Sequence, residues 1–436
     1  MKNRIQNVEY RIQNGEYGSH IKRVSCYILN SIFCILLSLT TQSQTLSLDS
    51  ILQVIEKQNP MLHSYRSRAT AMNSYVAGSA SLMAPEVGGG LWMFPYQKQN
   101  YEHQQDTRQV MVSVSQTFTN PAKLKANKSY LSSRAAVEQS RERMAYNELR
   151  AQAKAAYYRW YGLEKKQQVL KNGEEILNLM MKIARLRYPY NQGKLNTIYK
   201  TEASLHELTN MQLMNENEIR QQRRLLASLM NVTQANFQID TVSLKPASVL
   251  SAETDTTLLA AQRSDVQQID RTIQSMRYNL AMEKTQLKPD FNINFSHMIS
   301  VGAGMPNQFM LLGMVTIPIA PWSSKMYKAN VQGMNHEIES MKQERAAMLN
   351  EARGMTTNMV TEIKTLEKQL ENYEKRILPA LKKNYDALML AYEENREELP
   401  MVLDGWEAWN MTQLQYIDTQ IRYYEMIVSY EKEIEQ

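Results

Sequence analysis

The sequence is poor in cysteine, which excludes several kinds of chemistry. Its 436 residues include two cysteines, Cys26 and Cys34. Both lie within residues 1–44, which we interpret as an N-terminal extension and a secretory signal peptide, because the basic pair Lys22-Arg23 precedes a short apolar run and a polar exit. The apolar run is shorter than the ~20 residues that a membrane-spanning helix needs. A chain that has lost this segment contains no cysteine, so disulfides, thiol catalysis and cysteine-bound metals are excluded.

Glycine and proline are also scarce, with 15 and 12 residues, whereas Gln, Glu, Lys, Met and Ala recur throughout. This usage favours long helices. The net charge of +6 is modest for the length, and Lys and Arg alternate with Glu instead of forming a block. We therefore expect no nucleic-acid partner.

Motifs of enzymatic chemistry are missing as well. The six histidines are scattered, and the segment His206-Glu207-Leu208-Thr209-Asn210 lacks the second histidine of a zinc-protease helix. The sequence contains no glycine-rich phosphate loop and no nucleophile elbow. We therefore predict that the protein is not an enzyme and has no catalytic residues, cofactor or metal site.

Methionine, by contrast, is abundant, with 28 residues that include Met180-Met181, Met305, Met310 and Met314. Thioethers suit Cu(I), so a role in metal handling is open. Methionine is also a good helix former and a flexible filler of cores. Core packing is the interpretation that the scattered positions favour.

The longest regular pattern runs from Ala122 to Tyr188. Apolar and small residues recur there at alternating spacings of four and three, which is typical of a coiled-coil seam. Gln167 and Glu174 interrupt this seam. At 1.5 Å per residue the helix would be about 100 Å long, which suits a tube better than a globular domain. The seam residues are Leu149, Ala153, Ala156, Trp160, Leu163, Leu170, Leu177, Met181 and Ala184.

Two turns divide the helical stretches into hairpins. The first lies near residues 190–193, with Tyr190 and Gly193, and the second near residues 393–398, after Tyr392 and with Asn395. Glycine and asparagine tolerate the left-handed conformation that ends many helices. We therefore predict returning helices over residues 195–230 and 398–434. Pro379 should kink the helix that leads to the second turn.

The turns belong to a set of sequence pairs that lie about 200 residues apart, far more than the roughly 20–50 residues of a solenoid repeat. We predict a duplicated half-domain, with a first repeat over residues 45–230, a linker on the outside of the molecule over 231–257 and a second repeat over 258–436. The other pairs are Asn59-Pro60-Met61-Leu62 with Arg263-Ser264-Asp265-Val266, Pro85 with Pro289, and Pro121 with Pro321.

Four short segments read as strands, at about residues 86–94, 108–118, 290–299 and 309–319. In two of them apolar residues alternate strictly with polar ones, which is typical of a membrane barrel with a wet lumen. An ordinary hairpin packed on a soluble core is the alternative. Four strands cannot close a barrel, whereas three copies supply twelve, so a homotrimer is predicted. The candidate lipid-facing residues are Val110, Val112, Val114, Phe291, Ile293 and Phe295.

In their order and double occurrence these features resemble the TolC family of outer-membrane efflux proteins, from about Leu46 to Glu435. The context of Pro379 and the stretch from Gln116 to Lys123 look more like the metal-efflux branch, similar to CusC and CzcC, than like the drug branch. The matching segments are the two turns, the pair that begins at Asn59 and Arg263, Gln116-Thr117-Phe118, Ile377-Leu378-Pro379-Ala380 and Leu403-Asp404-Gly405.

The resemblance implies a homotrimer in the outer membrane of a Gram-negative bacterium, with most of the chain in the periplasm. A twelve-strand barrel would contact outer-membrane lipid, and the helical hairpins would form a periplasmic tunnel. The implied partners are a periplasmic adaptor (membrane fusion) protein and an inner-membrane RND-type transporter.

In the family the hairpin tips close the aperture. Tyr190, Gly193, Tyr392, Asn395 and Asp404 are therefore candidate gate or tip residues. Three symmetry-related Asp404 carboxylates would form a ring that favours cations. The alternative for Asp404 is an ordinary solvated helix face.

The function implied is a passive outlet duct of a tripartite efflux pump that exports transition-metal cations. A general duct for drugs and bile salts and an outlet for type I protein secretion are the alternatives within the family. A secreted coiled-coil scaffold without a pore is the alternative from a different class.

Overall fold

The computed structural model describes residues 44–94, 96, 107–190, 193–233, 236–240, 256–301, 305–318 and 320–435. Apart from Gln44, the predicted N-terminal extension and signal peptide lie outside these residues. Within them the chain is mainly α-helical with a small β part, as the sequence predicts. Across this described part, no helix combines the length and the apolarity needed to cross a membrane.

The described part of the chain contains nine α-helices and six strands. The helices are Leu48–Gln58 (α1), Pro60–Gly78 (α2), Pro121–Arg187 (α3), Leu195–Leu229 (α4), Thr256–Gln262 (α5), Ser264–Thr285 (α6), Pro321–Asn372 (α7), Leu378–Glu393 (α8) and Leu399–Ile434 (α9). The strands are Gln44–Leu46 (β1), Glu86–Trp92 (β2), Gln109–Phe118 (β3), Phe237–Ile239 (β4), Asp290–Ser300 (β5) and Gln308–Thr316 (β6).

Helix α3, with 67 residues, is the longest helix of the described part. Asn120 caps its start, because the side-chain Oδ1 accepts the N–H of Ala122 at 3.0 Å, and Pro121 occupies the first turn. Every seam residue that the sequence predicts in this helix is buried. Helix α3 packs against α2, α4, α6 and α9, and the predicted seam is a buried side of this helix.

The two polar interruptions of the seam face another helix. Asn215 of α4 donates to the Oε1 of Gln167 at 2.8 Å, and Gln212 of α4 donates to the Oε2 of Glu174 at 2.9 Å. Hydrogen bonds of this kind fix the register of α3 against α4, because sliding one helix along the other would leave these amides and carboxylates unpaired.

The segment between the halves contributes to the core, which differs from the predicted external linker over residues 231–257. Strand β4 pairs in parallel with β1. Phe237 and Ile239 are buried, and the ring of Phe237 lies 5.7 Å from that of Trp160. The prediction therefore does not hold for residues 237–239. Residues 241–255 lie outside the described part.

Strands β2, β3, β5 and β6 form one antiparallel sheet in the order β2-β3-β5-β6. The register pairs Val114 of β3 with Val87 of β2 and with Phe295 of β5, which in turn pairs with Leu311 of β6. Long helices leave this sheet from one end, because α3 begins three residues after β3 and α7 begins five residues after β6.

The two hairpin turns differ in backbone conformation. Asn395 adopts the predicted left-handed conformation, with φ 57°, and the N–H of Arg396 donates to the carbonyl of Ala391 at 2.8 Å. Gly193 is not left-handed, so that expectation was wrong. A Cβ on Gly193 would lie 3.7 Å from its nearest neighbour, the backbone nitrogen of Tyr188, which is an ordinary contact.

A turn of π-helix lies where the sequence predicts a kink. Residues Tyr373–Ile377 form this turn between α7 and α8, and the N–H of Leu378 donates to the carbonyl of Tyr373. Pro379 follows in the first turn of α8. The wider turn accommodates the proline, which has no N–H to donate and would crowd a regular helix.

Candidate functional sites in the sheet and at the helical tip

The four-stranded sheet has the reverse of the burial pattern expected in water. Val112, Val114, Phe291, Ile293 and Phe295 are between 43% and 48% exposed, and Val110 on the same face is half-buried. In a water-soluble sheet the apolar face packs on a core. Here the structure brings all six candidate lipid-facing residues onto one face of the sheet, and no core formed by the described residues packs on that face.

The opposite face carries the polar residues and is the more enclosed one. Ser296 is 2% exposed. The Nδ2 of Asn292 donates to Ser115 and to Thr117, both at 2.9 Å, and the hydroxyl of Ser296 donates to the Oδ1 of Asn294 at 2.9 Å. The two bonds of Asn292 cross from β5 to β3, and the bond of Ser296 lies within β5. Together they connect the residues of a polar surface, as in the lumen of a membrane barrel.

Four methionines share this polar face. Met111 and Met298 are direct partners in the β3–β5 register, and Met310 and Met314 lie on the same face of β6. Sequence reasoning treated methionine mainly as filler of helix cores. Successive side chains of a strand point to opposite faces, and each of these methionines occupies a position on the polar face of its strand. This alternation is the signal that could have identified them.

Both edges of the sheet are unpaired within the described chain. Strand β2, which contains Gly88, Gly89 and Gly90, has one neighbour, and so does β6. Unpaired N–H and C=O groups along an edge are ready to pair with a further strand. The sheet of a single chain therefore combines an exposed apolar face with two edges that are free within the described residues.

At the other end of the long helices, one arginine joins the two hairpin turns. The Nη1 of Arg187, at the end of α3, lies 3.1 Å from the Oδ1 of Asn395. Its guanidinium carbon lies 4.3 Å from the ring centroid of Tyr392, a cation–π contact. Tyr392 is buried, and this burial raises the pKa of its hydroxyl, although Arg187 acts in the opposite direction.

Just beyond the turns, three polar contacts link the returning helices α4 and α9. The Nζ of Lys194 lies 2.8 Å from the Oε1 of Glu398, and the Nζ of Lys200 donates to Asp404. The hydroxyl of Ser204 donates to a carboxylate of α9 at 2.6 Å. We call these three contacts the tip ladder. Asp404 is therefore ion-paired, and its side chain is 54% exposed.

The tip candidates are only partly brought together. Gly193, Tyr392 and Asn395 line one cleft of about 430 Å³, together with Arg187 and Lys194. Tyr190 is highly exposed and does not line this cleft, and Asp404 lies further along α9.

Sequence reasoning missed the cations of the tip, namely Arg187, Lys194 and Lys200. Opposite charges about 200 residues apart, the separation of the predicted repeat, are the signal that could have found the last two. Elsewhere in the described part, no group of three His, Cys, Asp or Glu side chains is placed to hold a metal ion.

The chain shares its fold with solved outer-membrane channels. CusC is 12% identical, with a TM-score of 0.73 over 89% of this chain and 91% of CusC. The CmeC outer-membrane channel of Campylobacter jejuni is 14% identical, with a TM-score of 0.72 over 89% of this chain and 85% of CmeC. The open MtrE outer-membrane channel of Neisseria gonorrhoeae is 13% identical, with a TM-score of 0.69 over 89% and 88%. No protein-family model and no curated protein matches the sequence.

Proposed function

We propose that three copies of the chain form a channel in the outer membrane of a Gram-negative bacterium. The observation that carries this proposal is the inverted sheet, with its apolar face exposed, its polar face enclosed and both edges free. A bilayer tolerates no open edge, because it offers no partner for unpaired backbone groups. Three copies would supply twelve strands, an even number that is large enough to enclose a pore.

The helices would continue this pore as a duct through the periplasm. Helix α3 alone spans about 100 Å at 1.5 Å per residue. The duct would be the passive outlet of a tripartite efflux pump, and its tip would meet a periplasmic adaptor protein that couples it to an RND-type inner-membrane transporter. The similarity in fold to solved outer-membrane channels supports the channel, and the family resemblance of the sequence supports the pump.

The tip residues would form the periplasmic gate. Tyr392, Asn395 and Gly193 surround the cleft in which Arg187 joins the two hairpins, so this cleft is where the two hairpins can separate. Asp404 would line the constriction as a ring of three carboxylates whose charge is reduced by Lys200. Tyr190, which is highly exposed beyond the cleft, is suited to contact with the adaptor.

Transition-metal cations are the cargo we favour, because four thioethers line the polar face of the sheet and thioethers suit Cu(I). Hydrophobic drugs and bile salts are the second candidate. Protein export by a type I system is the third.

Growth of a deletion strain and its complemented control tests the cargo. The strains are grown in graded copper, silver, zinc and cobalt, and separately with lipophilic drugs and bile salts. Sensitivity confined to metals supports the favoured cargo, and sensitivity to drugs and bile salts supports the general duct. Unchanged growth in all of them would contradict both of these cargoes and leave protein export.

Membrane fractionation separates the channel from a coiled-coil scaffold without a pore. A channel requires detergent for extraction, migrates as a trimer and conducts ions in planar bilayers. A scaffold stays in solution without detergent, and that result would overturn the proposed function.

A further inference from the structure

Several lysines lie close along the chain to the end of the sheet nearest the long helices, here called the foot. At the foot β3 ends, β5 begins and β6 ends. Six exposed lysines lie within roughly 10–15 Å of it along the helices, at 1.5 Å per residue. We call them the lysine collar: Lys125, Lys128, Lys284, Lys288, Lys325 and Lys328. Among the residues that the structure describes, none of the six side-chain ammonium groups has a hydrogen-bond or ion-pair partner.

Their spacing directs the lysines of each helix to a common side. Lys125 and Lys128 are three residues apart on α3, and Lys325 and Lys328 are three residues apart on α7. Residues with this spacing are neighbours on a helix surface. Each helix therefore presents a pair of cations on one side instead of distributing them around its axis.

The carboxylates near the foot do not neutralise the collar. Asp290 pairs with a different lysine, Lys123, at 2.5 Å. Glu283 accepts a hydrogen bond from the side chain of Asn330 at 2.7 Å. Glu86, at the start of β2, is the third carboxylate in this region. The foot therefore has a cationic excess, whereas the whole chain carries a formal charge of only +6.

The collar continues directly from the apolar face of the sheet. Phe118, Phe291 and Val315 are cross-strand partners and form the last apolar row before the foot. Trp322, in the first turn of α7, is 84% exposed. Tryptophan is enriched where a membrane meets water, and long lysine side chains extend from such positions toward the headgroups.

We propose that the lysine collar binds the anionic headgroups of glycerophospholipids in the leaflet that faces the helices. The inference rests on the proposed function, since it requires the apolar face to lie in a bilayer. The ligand follows from charge complementarity, because a phosphodiester headgroup with no compensating amine supplies the anion that the unpaired lysines lack. Attraction of lysine to an anionic membrane surface is strong near the headgroups and fades within a Debye length.

The experiment compares lipid binding by three forms of the full-length channel in nanodiscs with equal amounts of phosphatidylglycerol and phosphatidylcholine. The forms are the natural channel, the collar variant K125Q/K128Q/K325Q/K328Q and the control variant K171Q/K364Q/K368Q/K383Q, which removes four exposed lysines far from the foot. Native mass spectrometry counts the lipids of each kind that stay bound to the trimer.

We expect the natural channel and the control variant to retain phosphatidylglycerol in preference to phosphatidylcholine. The collar variant should lose at least about tenfold of that preference, since each lysine near an anionic surface is worth roughly fivefold in binding. The preference of the natural channel should also fall in about 1 M salt, where the Debye length is about 3 Å.

The outcomes separate this inference from the proposed function. An inserted trimer without a preference for phosphatidylglycerol would overturn the collar alone, and so would an equal loss in the control variant. A chain that does not enter bilayers would overturn both. If the collar variant fails to assemble, the salt dependence of the natural channel decides, and a preference that is unchanged by salt would contradict the collar.

Discussion

Replacing Phe295 with arginine tests which way the sheet faces. Phe295 lies at the middle of β5 and pairs with Val114 and Leu311 on the apolar face. At about 3.4 Å per residue it is roughly 17 Å from either end of its strand, so in the proposed channel it would lie close to the midplane of the bilayer. An arginine on the lipid face of a barrel at that depth costs about 2–4 kcal/mol.

This cost translates into a large loss of assembled channel. About 1.4 kcal/mol corresponds to a factor of ten, so the equilibrium between inserted and uninserted chain should shift by roughly 30-fold to 800-fold. Asn294→Arg is the matched control, because Asn294 precedes Phe295 and lies on the polar face. Its replacement removes the hydrogen bond from Ser296, at a cost of about 1 kcal/mol.

The assay is the fraction of heat-sensitive trimer in the outer-membrane fraction, measured by gel electrophoresis at matched expression. Phe295→Arg should lose most of the trimer, whereas Asn294→Arg should retain most of it. Equal tolerance of both substitutions would refute the reasoning, because an exposed phenylalanine in water can be replaced by arginine at little cost. The reverse order would mean that the polar face is the one in contact with lipid.

Three further substitutions test the tip and the packing of the long helices. Asn395→Val should lower adaptor-dependent export, because a β-branched residue at φ 57° is strained by about 1–3 kcal/mol. Gly193→Ala should be tolerated, because its Cβ would make only ordinary contacts. Equal effects of the two substitutions in an export assay would contradict the predicted difference between the turns. Lys200→Met should raise the cation preference in single-channel recordings, because it leaves the Asp404 carboxylate unpaired. Asp404→Ala should lower that preference. Unchanged ion selectivity in both variants would exclude this carboxylate from the conducting path. Gly162→Val should lower the free energy of unfolding by about 1–3 kcal/mol, because even a Cβ at this position overlaps an isoleucine side chain of α9. A variant that melts at the same temperature as the natural protein would contradict this expectation and would show that α9 moves aside freely.

The elements that could be predicted from the sequence are those in which the spacing of apolar residues indicates which face of a helix or strand is apolar. The spacing of Leu149, Ala153 and Trp160 follows the helical period, and the alternation of Phe291 and Phe295 with asparagine follows the strand period. Each pattern depends only on residues close together in the chain, so no knowledge of the tertiary arrangement is needed.

The features that could not be predicted depend on which distant elements meet. Strand β4 has three residues, too few for a periodic signal, and it exists because β1 lies beside it. The contacts of Arg187 with Asn395 and Tyr392 depend on how the end of α3 meets the second turn. The conformation of Gly193 depends on how its turn is closed, since glycine permits both signs of φ and residue type alone does not select one.

The inverted sheet makes an isolated chain incomplete in two ways that have one common solution. In water the apolar face is exposed, and moving that face into lipid removes the cost of its hydration. The same move makes the free edges of β2 and β6 more costly, because lipid cannot satisfy their N–H and C=O groups. In the proposed trimer, pairing β6 of one copy with β2 of the next would satisfy both edges and would also enclose the polar face around a lumen. Insertion and oligomerisation should therefore be one coupled event, since neither step alone lowers the free energy of both the face and the edges.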